Sequence, residues 1–120
     1  MLFKTKEFTM MQSGLDALWM KQRVIQNNIA NYETPGFKTK HVSFHELLST
    51  EMKDGKPVEV SNYNATITTD QSTSARLDGN NVDLDKESLE LWEAYAQYAY
   101  LTDKVKGQFT NMRYVINSFK

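Results

Sequence analysis

The chain has no cysteine, which excludes disulfide stapling, thiolate metal sites and a cysteine nucleophile. It has two prolines and five glycines in 120 residues, so long helices can run uninterrupted. It has almost no excess charge: 14 Lys plus Arg face 15 Asp plus Glu, a formal net charge of −1. The basic excess of a dedicated nucleic-acid binder is therefore missing. No apolar run approaches the ~18 residues that span a bilayer. Around Lys4 and Lys6 there is neither the apolar stretch nor the small-residue cleavage site of a secretory signal. The expected location is the cytoplasm, or a destination reached without a cleaved signal. Glycine-rich phosphate loops and a G-x-S-x-G elbow are also lacking. What is present is ordinary: 40% hydrophobic and 24% charged residues, enough for one domain over 1–120.

Periodicity divides the chain into three zones. Over 7–31, Phe8, Met11, Leu15, Leu18, Ile25, Ile29 and Tyr32 recur in steps of three and four, broken only at Gln22. This spacing predicts a helix with a heptad seam. Over 83–119 the same alternation runs through Leu84, Ser88, Leu91, Tyr95, Tyr98, Thr102, Val105, Phe109, Met112, Ile116 and Phe119. Asp83 is the expected N-cap. Acids crowd the start of this helix (Asp83, Asp85, Glu87, Glu90, Glu93), and bases its end (Lys104, Lys106, Arg113, Lys120). That order suits the helix dipole.

Between the helices, 32–82 opens on Thr34-Pro35-Gly36, a helix stop followed by a type II turn. Short strands are expected at Pro57–Val60 and Ala65–Thr69, a loop over 71–74, and a turn at Asp78-Gly79-Asn80-Asn81. The spacing leaves Phe44–Leu48 open between a helical turn and an extended piece. The fold class is mainly α: two long terminal helices in a coiled-coil-like hairpin or bundle, around a small irregular or β-containing middle.

The seams do not use all the apolar residues. Met10, Trp19, Met20 and Val24 lie outside the first, and Trp92, Tyr100, Leu101, Tyr114 and Val115 outside the second. A short polar middle segment cannot cover two faces of a helix on the order of 50 Å long. Large apolar surface of this kind marks an interaction site. The helices are accordingly expected to be weakly folded in a monomer and firm in an assembly.

Few residues suggest chemistry. His41 and His45, with Glu46, would share a helix face and could hold zinc if 41–46 were helical. Asp78–Asp85 fails as a calcium loop, because Asp83 replaces the required glycine and Leu89 the bidentate glutamate. No catalytic, cofactor or metal residue is assigned, and no enzymatic activity is expected. A small metal-binding protein using His41 and His45 is one alternative. A cytoplasmic coiled-coil adaptor, which would not need Thr34-Pro35-Gly36, is another.

Two segments carry a resemblance. Gln26-Asn27-Asn28-Ile29-Ala30-Asn31-Tyr32-Glu33-Thr34-Pro35-Gly36-Phe37-Lys38 resembles the N-terminal signature of bacterial flagellar rod and hook proteins. Asp78-Gly79-Asn80-Asn81-Val82-Asp83-Leu84-Asp85-Lys86-Glu87 is similar to the segment that opens the C-terminal helix in the proximal-rod branch of that family. Trp92 and Ala94 depart from it, standing where the family commonly has a small residue and an Asn.

The resemblance implies a structural subunit of the basal-body rod, exported through the type III apparatus without a cleaved signal. It would link the membrane ring to the distal rod and transmit torque for motility. Its implied partners are itself, FlgC-type and distal rod proteins, a FliE-type adaptor and the membrane-ring protein. It also marks Asn28, Asn31, Thr34, Pro35, Gly36 and Lys38 as the turn motif. In this motif Asn28 and Asn31 are expected to bond the helix end, and Lys38 to face a neighbour or solvent. Assembly is expected through Met11, Leu15, Leu18, Ile25 and Ile29 of the first helix. The second contributes Leu84, Leu91, Tyr95, Tyr98, Val105, Phe109, Met112 and Ile116.

Overall fold

The structure, a computed structural model, describes residues 6–73 and 76–119. The readings that touch Met1–Thr5, Ser74 and Lys120 lie outside the described residues. The elements are α1 (Lys6–Ala30), β1 (Lys40–Lys53), β2 (Lys56–Thr69) and α2 (Leu84–Ser118), so two long helices flank a two-stranded antiparallel sheet.

α1 buries two faces. Leu18, Gln22 and Ile25 of the expected seam are buried, with Phe8, Met11, Leu15 and Ile29 half-buried. Gly14, Ala17 and Asn28 are buried as well. The helix needs both faces because it is the middle element, packed against α2 on one side and the β-ribbon on the other. Its small residues permit the close approach: a Cβ on Gly14 would meet the Leu101 side chain at 3.0 Å and the Tyr63 ring at 3.6 Å.

α2 runs antiparallel to α1. Asn28 meets Glu87, Gln26 donates to the Tyr95 hydroxyl at 2.9 Å, and Phe8 packs edge-on against Phe109, with ring centroids 5.3 Å apart. Asp83 caps it as expected, its carboxylate accepting from the Asp85 and Lys86 N–H groups.

The face that α2 turns inward differs from the expected seam by one residue at every second step. Leu84, Leu91, Tyr98, Val105 and Met112 are half-buried, but their inner companions are Glu87, Ala94, Leu101 and Gln108. Ser88, Tyr95, Phe109 and Ile116 are exposed, and Thr102 is half-buried. Three-four spacing alone fits either set. Ala94, fully buried, lets the helices approach where Tyr95 would hold them apart.

The middle segment is more regular than expected. The short strands at Pro57–Val60 and Ala65–Thr69 are parts of one 14-residue strand, β2. Phe44–Leu48 is extended, within a 14-residue β1. The ribbon is registered from Lys40↔Thr69 to Lys53↔Lys56 and closes through Asp54-Gly55. These two residues have φ of 51° and 75°. Positive φ at both central positions is the type I′ hairpin turn, whose twist matches that of paired strands. Toward its base the ribbon rests on α1: the Tyr63 N–H donates to Ser13 Oγ at 3.0 Å, and the Lys21 ammonium lies 5.7 Å from the Phe44 ring centroid. Leu47, Leu48 and Met52, nearer its tip, are exposed.

α2, α1 and the ribbon thus lie side by side in one layer, with extents of 68 × 31 × 14 Å. The radius of gyration is 19.4 Å, against about 13.6 Å for a compact domain of this length. Among the described residues the buried hydrophobic ones are few: Ala17, Leu18, Ile25, Val82 and Ala94.

Gln22 sits in this thin core with its Nε2 buried and unpartnered among the described residues. Gln22→Leu should therefore stabilise the chain by about 1–2 kcal/mol, because an unsatisfied donor is replaced by apolar volume. Gly14→Leu should destabilise it by about 1–3 kcal/mol through overpacking. Chemical denaturation of each variant checks both signs.

Candidate functional site: a polar junction between the two motifs

The turn after α1 forms as the sequence dictates. Asn31 Nδ2 donates back to the Asn27 carbonyl at 2.8 Å, and the Asn31 carbonyl accepts from the Thr34 N–H at 3.0 Å. Thr34 Oγ1 donates to Asn31 Oδ1 at 3.1 Å. Pro35 takes the first central position, Gly36 follows at φ 72°, and the Phe37 N–H closes the turn on the Thr34 carbonyl at 3.3 Å.

Asn28 does not serve its own helix end. It is fully buried. Its Nδ2 donates to the Lys40 carbonyl at 2.7 Å and to Glu87 Oε2 at 3.1 Å, while its Oδ1 accepts from the Lys40 N–H at 3.0 Å. One side-chain amide thus pairs with the backbone of the first β1 residue and ties that residue to the start of α2. Lys38 likewise has a partner in its own chain, donating to the Ser72 carbonyl at 3.2 Å.

The second motif completes the junction. Fully buried Asn80 donates to the Asn31 carbonyl at 2.8 Å and the Thr34 carbonyl at 2.9 Å, and accepts from the Val82 N–H at 2.9 Å. Asn81 Oδ1 accepts from the Thr39 N–H at 2.7 Å and from the Thr39 hydroxyl at 2.8 Å, and its Nδ2 donates to the Asp70 carbonyl at 3.1 Å. The Gly36 N–H donates to the Asp78 carbonyl at 2.8 Å, with Gly79 stacked close by: a Cβ there would lie 3.7 Å from the Gly36 Cα. Arg76 covers one side, its guanidinium 4.5 Å from the Tyr32 ring centroid and donating to the Tyr32 carbonyl at 2.7 Å.

Among the turn-motif residues, the structure gathers Asn28, Asn31, Thr34, Pro35 and Gly36 at this junction, with Lys38 at its rim. Sequence reasoning missed Thr39, Arg76, Asn80, Asn81 and Glu87. The available signal was two adjacent asparagines ahead of a helix whose cap was already supplied by Asp83.

Glu87 is 2% exposed. Burial pushes its carboxyl above its ordinary value of 4.5, against the lowering effect of the Asn28 amide; Glu90 raises it further, and His41 and Lys86 lower it. Asp70 is shifted the other way, mainly by the Ser72 N–H that donates to it at 2.8 Å.

The histidines do not form a metal site. Residues 41–45 are strand, so His41 and His45 are spaced about 13 Å apart along β1. The helical i, i+4 geometry required for a shared zinc is absent. His41 instead faces Asp70 at 3.8 Å.

Comparison with known proteins gives a consistent result. The family described as Flagella basal body rod protein matches residues 10–38, which cover most of α1 and its turn. The flagellar basal body rod protein FlgB of Bacillus subtilis is 36% identical over 92% of each chain. FlgB of Escherichia coli is 28% identical over 89% of this chain and 90% of its own. FlgB of Borreliella burgdorferi is 27% identical over 85% and 89%.

Asn80→Ala, which removes two donated bonds and leaves the buried Val82 N–H without its acceptor, should cost about 1–3 kcal/mol in denaturant unfolding. Glu87 binds its proton more tightly folded than unfolded. Its contribution to stability is therefore full below about pH 4.5 and lost as pH rises through the raised value. Glu87→Gln should remove that slope and raise the melting temperature at pH 7 by a few degrees. A variant that keeps the wild-type slope would assign the pH dependence elsewhere.

Proposed function

The chain belongs to the FlgB family of flagellar basal body rod proteins, and from that premise we propose that it is a proximal-rod subunit built to polymerise through its terminal helices. As a member of this family it is a structural protein of the flagellar basal body. In the proposed assembly, residues 1–120 act as one unit. The helices of neighbouring copies complete a coiled-coil-like bundle, and the polymer links the membrane ring to the distal rod and carries torque. Its partners are further copies of itself, FlgC-type and distal rod proteins, a FliE-type adaptor and the membrane-ring protein. It reaches them through the type III export apparatus without a cleaved signal.

The observation that carries this reading is the single layer. Domains are stable when two layers cover one another; here one layer about as thick as a helix leaves both its faces uncovered. The accessible surface is 8746 Å², some 2,000 Å² more than the roughly 6,700 Å² of a compact monomer of this mass. The excess is apolar in character: Trp19, Trp92, Tyr100, Tyr114, Ile116 and Phe119 are all exposed. Neighbouring copies and other rod proteins would supply the second layer. The polar junction would fix the angle at which each subunit presents its helices.

The test uses residues that contribute to no core. Trp92→Asp and Tyr114→Asp should leave the melting temperature within about 2 °C of wild type, since surface changes typically stay within ±0.5 kcal/mol. Both should abolish rod incorporation and swimming in a strain lacking the wild-type protein. The wild-type chain should copurify with intact basal bodies. Its absence from them, or normal swimming by both variants, would contradict the proposal.

A further inference from the structure

The charges along α2 are sorted by sign, and the chain does not use them. Among the described residues, none of Glu90, Glu93, Lys106 and Arg113 is ion-paired within the molecule. Two apolar features involve the same helix. One is a groove of about 490 Å³ that crosses the layer, lined by Gly14, Ala17, Phe44, Tyr63, Ala96 and Tyr100 among others. The other is the C-terminal end of α2, where Val115, Ile116 and Phe119 are 52%, 56% and 86% exposed.

We propose that the C-terminal end of α2 of one copy seats in this groove of the next copy, parallel to its α2 and staggered by about 24 Å. The register follows from charge. Lys106 stands sixteen residues beyond Glu90, and Ile116 sixteen beyond Tyr100. With that offset Lys106 meets Glu90, Arg113 comes level with Gln97 one turn from Glu93, and Ile116 reaches Tyr100. The residues at 106, 113 and 116 share one helix stripe, as do those at 90, 97 and 100. Met112, one turn before Ile116, then comes level with Ala96, a small residue of the groove that admits a second helix.

An antiparallel arrangement that keeps Arg113 level with Gln97 sets Lys106 against Lys104, a like-charge contact that the parallel one avoids. Exposed ion pairs add little affinity; here they set direction and stagger, while the apolar groove supplies the adhesion. Tail and groove are different surfaces of one molecule. The contact is therefore heterologous and propagates instead of closing on a pair. It specifies the self-assembly step of the proposed rod subunit and rests on that reading for its biological setting.

The absence of native cysteine makes the test direct. In the full chain carrying Tyr100→Cys and Ile116→Cys, the two thiols lie about 24 Å apart along one helix, too far for an internal disulfide. Mild oxidation should give a ladder of multimers, at least tenfold above either single variant. Ala96→Cys with Met112→Cys, at the same offset, should behave alike.

Charge provides a second test. Glu90→Lys with Glu93→Lys, and separately Lys106→Glu with Arg113→Glu, should each suppress the self-association of the wild-type chain in sedimentation equilibrium. An equimolar mixture of the two should restore it. Double-cysteine variants that stay monomeric with helicity intact would overturn the proposal, as would single variants that cross-link equally well or a mixture that fails to recover. A wild-type chain that remains monomeric at millimolar concentration would overturn it too, yet leave the rod reading standing. Absence from basal bodies with the ladder intact would do the reverse.

Discussion

The side chain of Asn28 holds three elements at one point. It pairs with both backbone groups of Lys40, where the ribbon begins, and donates to Glu87, where α2 begins. A buried amide left without these partners would be costly, so the arrangement is all-or-none. Its consequence is rotational. Once Glu87 is drawn in toward α1, a seven-residue repeat brings Ala94, Leu101 and Gln108 in behind it. Tyr95, Phe109 and Ile116, one residue further on, are turned outward. A polar contact at one end of the molecule thereby sets which aromatic and aliphatic residues are exposed along the rest of α2.

The junction also reconciles a thin core with a defined geometry. The five hydrophobic residues buried among the described ones cannot fix the directions of two helices and a ribbon by packing alone. Hydrogen bonds are directional, and those of Asn80 and Asn81 bind the turn after α1, the start of β1, the end of β2 and the approach to α2 into one unit. Apolar surface is left over because specificity at the junction comes from polar groups. In the assembly proposed above, that division of labour would suit a part that presents its helices at a fixed angle and buries them on meeting its neighbours.

Much of the architecture could be read from the amino-acid order. Both long helices, the Asp83 cap and the Thr34-Pro35-Gly36 turn follow from local rules acting on local residues. The rotation of α2 did not follow, because three-four spacing is satisfied equally by Leu91 with Tyr95 and by Leu91 with Ala94. The distant Asn28–Glu87 contact, with the close approach that Ala94 allows, separates the two. The ribbon was underestimated for a different reason. Its polar, Thr- and Asn-rich strands show weak alternation, so the hairpin signal of Asp54-Gly55 between two lysines stands without recognisable strands on both sides. The junction was half legible: the turn motif was in view, but the asparagines of the second motif have meaning only once both segments meet.

The most direct measurement is native-state hydrogen exchange at the four junction amides of Gly36, Thr39, Lys40 and Val82. The Gly36, Thr39 and Val82 amides are held by bonds outside any helix or strand ladder, and that of Lys40 by the Asn28 side chain. If the junction organises the molecule, these amides should exchange only on global opening, with protection equal to that of the central amides of α1. Exchange at the rate of an unprotected loop, while α1 remains protected, would show that the helices hold their positions without it.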